Sequence, residues 1–286
     1  MLEEISVCLT ALYLRGLSRP INVPRRRWVQ VVSNLRTAEC SIADSPAVLR
    51  KAGFWEEAIL LETDELIQAS KELVSARSVL TAVEVTYPAR WLERLGHSAP
   101  PALWIKGAMP ESALLGIVGS RQIEPHVKEF AVNVGGEAVR LGFSIVSGGA
   151  DGCDRAGAAG AVARGGQAVE ILPFGINGYV RAARCGLSVC APDDVFSTAA
   201  AMERNTLIYA ASEQTVVVQA RFKEGGTWIG AVEATRKKLC PLIIREDGSP
   251  ASKALIGLSG TPLATPEGLQ EALNSQPTQR GLFGIG

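Results

Sequence analysis

Three short stretches join glycines to small hydroxyl or cationic residues at the end of an apolar run. LLGIV leads into Gly119, Ser120 and Arg121; FSIV leads into Ser147, Gly148, Gly149, Ala150, Asp151 and Gly152; TVVVQ leads into ARFKEGGTW, with Gly225, Gly226 and Thr227. Glycine gives a core no side chain and loses the most backbone freedom on folding, so such runs serve unusual dihedrals or the close approach of another group. Amides opened by glycine at a helix N-terminus suit an anion, above all a phosphate. One glycine pair alone reads as a tight turn. Three such loops, with serine, threonine and arginine among them, point to a phosphate-accepting surface. None fits GxGxxG or the Walker A lysine pattern, so neither an ordinary dinucleotide site nor a P-loop ATP site is indicated.

Other chemistries find less support. Only His97 and His126 offer imidazoles, which weakens histidine-based catalysis and multi-histidine metal sites. Cys8, Cys40, Cys153, Cys185, Cys190 and Cys240 are scattered, without the CxxC pairs that zinc favours, and read as reduced, mostly buried thiols. Neither a metal nor a cofactor is expected. The 29 Lys+Arg residues balance the 29 Asp+Glu residues, so a nucleic-acid partner would have to be met by a local basic patch. Arg25, Arg26 and Arg27 form one such run, although a cluster that short is more often a solvated helix start. No apolar stretch approaches the roughly 20 residues of a membrane helix, and acids stand at the N-terminus where a secretory signal carries bases. A soluble cytoplasmic protein is expected.

The elements that would position the loops follow from hydrophobic period. Residues 1–79 carry apolar side chains at three-to-four spacing, broken by Gly16, Pro20, Pro24, Pro46 and Gly53, and predict a small helical domain. From 80 to 246 strand-like runs alternate with helical ones. LLGIV, TVVVQ and PLIIR are apolar throughout, as strands covered on both faces are. This order predicts an α/β fold, a Rossmann-like doubly wound parallel sheet, with ligands at the carboxyl ends of its strands. Residues 247–286 read as an extension and tail, with one short helix at PEGLQEAL.

The segments YPARWLERLGHSAPPALWIKG, GIVGSR, LGFSIVSGGADGCD, MERNTLIYAASEQTVVV and GGTWIGAVEA, in that order, resemble the DNA-processing protein A (DprA/Smf) family over roughly Val79 to Arg245. The resemblance implies a Rossmann-like domain that binds single-stranded DNA in the cytoplasm, dimerises, and loads a RecA-type recombinase during natural transformation. It implies no established catalytic activity. Gly119, Ser120 and Arg121 stand at its glycine-serine/threonine-arginine motif, and Ser147, Gly148, Ala150, Gly152 and Asp154 at its second loop. Arg204 and Asn205 match its arginine-asparagine pair, and Gly226 and Thr227 fall in its later glycine-rich loop, beside Gly225. By this matching Arg121 and Arg204 contact phosphates, Ser147 and Thr227 add hydroxyls, and Asp154 caps its helix. Departures mark a divergent member. Ala158 replaces a histidine, the stretch from Asn177 to Met202 is short and lacks a tyrosine-proline, and no winged helix follows Arg245.

A second resemblance, to the LONELY GUY type of nucleoside monophosphate phosphoribohydrolase, would make Glu233 catalytic, with Arg204, Met202, Gly226 and Thr227 about the nucleotide. Glu233 reads equally as a surface glutamate beside Arg236 and Lys237 at helical spacing. A nucleotide-sensing domain is a third reading that the fold allows. Near the C-terminus, Gln279, Leu282 and Phe283 lie in QRGLF, which resembles the QxxLF peptides that dock on the replicative sliding clamp; the alternative is that Leu282 and Phe283 fold back onto the body.

Overall fold

The computed structural model of the protein describes residues 2–18, 27–181 and 184–275. Five helices come first, α1 (Leu2–Ser18), α2 (Trp28–Ala38), α3 (Ser45–Lys51), α4 (Trp55–Leu60) and α5 (Asp64–Ser75). Then follow β1 (Val79–Thr81), α6 (Ala89–Leu95), β2 (Ala102–Lys106), β3 (Leu114–Gly119), α7 (Pro125–Arg140), β4 (Ser144–Ser147), α8 (Cys153–Ala163) and β5 (Ala168–Leu172). The chain continues through β6 (Cys185–Ser188), α9 (Thr198–Ala211), β7 (Thr215–Gln219), α10 (Gly225–Arg236), β8 (Leu242–Arg245), α11 (Pro250–Gly257), β9 (Thr261–Leu263) and α12 (Leu269–Asn274).

The chain divides into two units, residues 1–109 with 172–197, and residues 110–171 with 198–286. The first therefore reaches beyond the helical segment expected to end at residue 79. It takes in β1, α6 and β2 and, from far along the chain, β6. The reason is strand pairing: β2 runs antiparallel to β1, through Val79↔Trp104, and antiparallel to β6, through Trp104↔Ser188. Leu9, Val31, Leu35, Leu49 and Trp91 are fully or almost fully buried here. Polar ends of large side chains find carbonyls, with Trp28 Nε1 donating to His97 O at 3.0 Å and Tyr87 Oη to Pro100 O at 2.7 Å.

The second unit is the doubly wound part. Its strands lie in the order β5-β4-β3-β7-β8-β9 and every pair is parallel. The apolar runs read as doubly covered strands are just that: Leu114 to Gly119 and Thr215 to Val218 are all buried. Helices α7 and α8 meet backbone to backbone. A Cβ on Gly160 would collide with the Val132 carbonyl, and one on Gly135 with the Gly157 carbonyl, so these glycines permit the close approach.

Residues 247–275 differ from the loop-like extension expected of them. Ser249 caps α11 by accepting from Ser252 N at 3.1 Å, with Pro250 at the first helical position. β9 adds to β8 at the sheet edge, where Pro262 costs no ladder bond on the outer side. Leu263, Leu269 and Ala272 enter the main core.

Candidate functional site

The three glycine-bearing loops leave neighbouring strands. β3 lies between β4 and β7, and the chain winds outward from β3 through β4 to β5 before placing β7 on the other flank of β3. That is a topological switch point, where the crevice of an open parallel sheet forms. Strand ends are tied across it: Ser120 N donates to Gln219 O at 3.0 Å, next to a register shift between Val118 and Gly119. Gly119 is required there, since a Cβ would lie 2.5 Å from Cys153 Cβ.

Asp154 holds the first two loops together. It was expected to cap its helix, but Gly152, at φ +85°, occupies the cap position and Asp154 is the second residue of α8. Its carboxylate accepts from Gly119 N at 3.2 Å and from Gly148 N at 3.0 Å. The side chain is buried, and burial lifts its pKa from the ordinary 3.8 to about 6 against the opposing pull of Arg204 and of these N–H groups. Ser147 is likewise committed to the loop: it is fully buried, and its Oγ accepts from Gly149 N at 3.3 Å. It shapes the turn rather than presenting a hydroxyl outward.

Arg204 stands on α9 and is also buried, at 6% exposure. Its Nη1 is 3.8 Å from Asp154 Oδ2, and its Nε has no hydrogen-bond partner among the described residues. The guanidinium packs directly behind Gly148, where an added Cβ would overlap it. Burial, and secondarily the charge of Arg121, lower its pKa, while Asp154 opposes that shift. Such a cation raises the potential of the loop in front of it and fixes the loop's path. The direct phosphate contact expected of Arg204 is corrected by this burial to a supporting position. Arg121 and Gly149 differ in this respect: Arg121 is exposed, and Gly149 is partly exposed at φ +63°.

The third loop opens α10. Gly225 has φ +75°, with open space where a Cβ would point, and Gly225 and Gly226 are exposed. The residue before them, Glu224, makes no side-chain cap, so the first amides of α10 meet no capping side chain. Asn205 Nδ2 donates to Gly226 O at 3.5 Å and thereby brings α9 against this turn; Thr227 is half-buried beside it. Gly119, Ser120, Arg121, Gly148, Gly149, Arg204, Asn205, Gly225, Gly226 and Thr227 thus belong to one cluster around the ends of β3, β4 and β7.

Other candidates are engaged by their own neighbours. Glu233 is the ninth residue of α10, roughly 12 Å along the axis from Gly225 at the α-helical rise. Its carboxylate is engaged by Lys237 Nζ at 2.7 Å and by Arg236 at 3.9 Å. Arg27 is occupied within the first unit, 3.2 Å from the buried Glu57 carboxylate and stacked 4.8 Å over Phe54. Arg25, Arg26, Gln279, Leu282 and Phe283 lie outside the described residues. Among the described residues no group of His, Cys, Asp and Glu could hold a metal ion, and no helix is long and apolar enough to cross a membrane.

No curated protein matches the chain in sequence. Among solved structures, DNA processing protein A from Streptococcus pneumoniae is similar with a TM-score of 0.67 at 18% identity, covering 95% of this chain and 98% of that one. DNA processing protein A from Helicobacter pylori, described for its single-stranded DNA binding mode, is similar with a TM-score of 0.55 at 21% identity, covering 62% of this chain and 88% of that one. Both show the fold. The sequence model of DNA recombination-mediator protein A matches residues 78–256, which takes in every loop described above. The chain belongs to the DNA recombination-mediator protein A family.

Proposed function

We propose that the crevice at the ends of β3, β4 and β7 binds single-stranded DNA by its phosphates. The observation that carries this is the buried Arg204 guanidinium behind Gly148, with exposed glycine amides and Arg121 in front of it. Amides at Gly225 and Gly226 recognise phosphate without reading a base, so affinity has little sequence preference and falls as salt rises. The Helicobacter pylori relative supports the reading through what it binds. As a family member the protein acts in the cytoplasm as a homodimer that hands the strand to a RecA-type recombinase. It does so as a mediator rather than an enzyme. The separation of Glu233 from the loop amides, and its engagement by Lys237, disfavour the phosphoribohydrolase alternative.

The test is fluorescence anisotropy with labelled oligonucleotides of equal length, single- and double-stranded, at several salt concentrations. Preference for the single strand with salt-dependent affinity is expected; equal affinity for the duplex overturns the reading. For the clamp, labelled LNSQPTQRGLFGIG titrated against the replicative sliding clamp should bind with micromolar Kd. Leu282 and Phe283 changed together to alanine should abolish that binding, and no binding by the unchanged peptide ends the proposal.

A further inference from the structure

The loop after β7 carries a feature that phosphate recognition leaves unused. Residues Arg221 to Glu224 close a tight turn, with Glu224 N donating to Arg221 O at 3.2 Å and the two residues bridged antiparallel. Phe222 and Lys223 form its tip, and Lys223 takes a left-handed conformation at φ +60°. Phe222 is 43% exposed although its side chain is wholly apolar. It is nevertheless held in place: the Trp228 ring, one turn into α10, lies 5.1 Å away at 76°, edge to face, and Lys223 Nζ sits 5.1 Å from the Phe222 centroid. This turn starts two residues beyond Gln219, whose carbonyl receives the Ser120 amide, and ends at the open amides of Gly225 and Gly226.

We propose that Phe222, braced by Trp228, is a stacking platform for one nucleobase of the bound single strand, with Lys223 taking an adjacent phosphate. This rests on the reading that the crevice binds single-stranded DNA. A nucleobase is the occupant the surroundings favour. It is flat and apolar on its faces, and it is linked to an anion that the flanking cation and the α10 amides complement. Stacking is tolerant of base identity, so the platform adds affinity without adding sequence preference. A duplex keeps its bases stacked on each other and cannot offer one, so the platform also favours the single strand.

The experiment compares an oligo(dT) with an oligonucleotide of the same length in which every base is removed, using the full chain and its Phe222→Ala, Phe222→Trp and Arg121→Ala variants. The unchanged protein should bind oligo(dT) about ten-fold or more tightly than the abasic strand. Phe222→Ala should lose most of that ratio while binding the abasic strand as before, and Phe222→Trp should keep it. Arg121→Ala should weaken both strands alike. Thermal melting of each variant checks that the fold is retained, and Phe222→Trp guards against a merely structural effect. An unchanged ratio in Phe222→Ala overturns the platform and leaves phosphate binding standing. Failure of the unchanged protein to bind either strand overturns the phosphate reading itself.

Discussion

Replacing Arg204 by methionine removes the positive charge behind Gly148 but keeps most of the volume, and its cost should depend on pH in a defined direction. Asp154 and Arg204 are both buried, with 3.8 Å between Oδ2 and Nη1. Deleting one partner of a buried pair costs about 3–5 kcal/mol when the other stays charged. Asp154 keeps its bonds from Gly119 N and Gly148 N, which places Arg204→Met at the lower end, about 3 kcal/mol at pH 8. The folded-state pKa of Asp154, about 6, lies above its ordinary 3.8, so the folded protein holds the extra proton between these values. Its contribution to stability is therefore present below about 3.8 and lost as the pH rises through about 6. Without Arg204 the folded value climbs further and that loss deepens above pH 6. At pH 5 the carboxyl is already neutral in the folded state, and the cost of the substitution should shrink to a packing difference of about 1 kcal/mol. Urea unfolding of both proteins at pH 5 and pH 8 measures this. A loss that is the same at both pH values, or below about 1 kcal/mol at pH 8, would refute the role given to the pair.

Other outcomes follow from single contacts. Arg121→Ala should weaken single-stranded DNA binding by about 1–3 kcal/mol, the scale of a charge-assisted contact, with the melting temperature unchanged because the residue is exposed; anisotropy and thermal melting check both halves. Gly160→Ala should destabilise the second unit by about 2 kcal/mol or more, since its Cβ meets the Val132 carbonyl where α7 and α8 touch. A neutral result in denaturant titration would mean the two helices separate easily. Glu233→Ala should leave DNA binding as it is, and nucleobase release from a nucleoside monophosphate that vanishes with this change would restore the phosphoribohydrolase alternative.

What the chain discloses before folding is uneven, for physical reasons. The sheet was legible because LLGIV and TVVVQ have the unbroken apolar character of strands covered on both sides, with a glycine-bearing loop after each. β6, the four residues CGLS, has no such pattern and becomes a strand through pairing such as that with β2. β9 was hidden by Pro262, which a central strand would exclude and an edge strand admits. α11 was hidden because the residues around its Ser249-Pro250 start look like loop. At the site, the structure revises the roles expected of three side chains, those of Ser147, Asp154 and Arg204. Asp154 looks like a cap until Gly152 is seen to hold that place with a positive φ. Arg204 looks like a surface cation because α9 has no sharp apolar face from which its burial could be read. Phe222 stands in plain view in ARFKEGGTW, but only its fixed exposure against Trp228 distinguishes it from a core residue.

The most direct measurement is on the backbone amides themselves. In the deuterated, nitrogen-15-labelled protein, oligo(dT) is titrated while the amide resonances of Gly119, Gly148, Gly149, Gly225 and Gly226 are followed. The expected result is that those of Gly225 and Gly226 shift most, saturate together with the Kd found by anisotropy, and revert as salt is raised. Binding that leaves these glycines unmoved and shifts residues of α1 to α5 instead would contradict the assignment of the crevice as the DNA site.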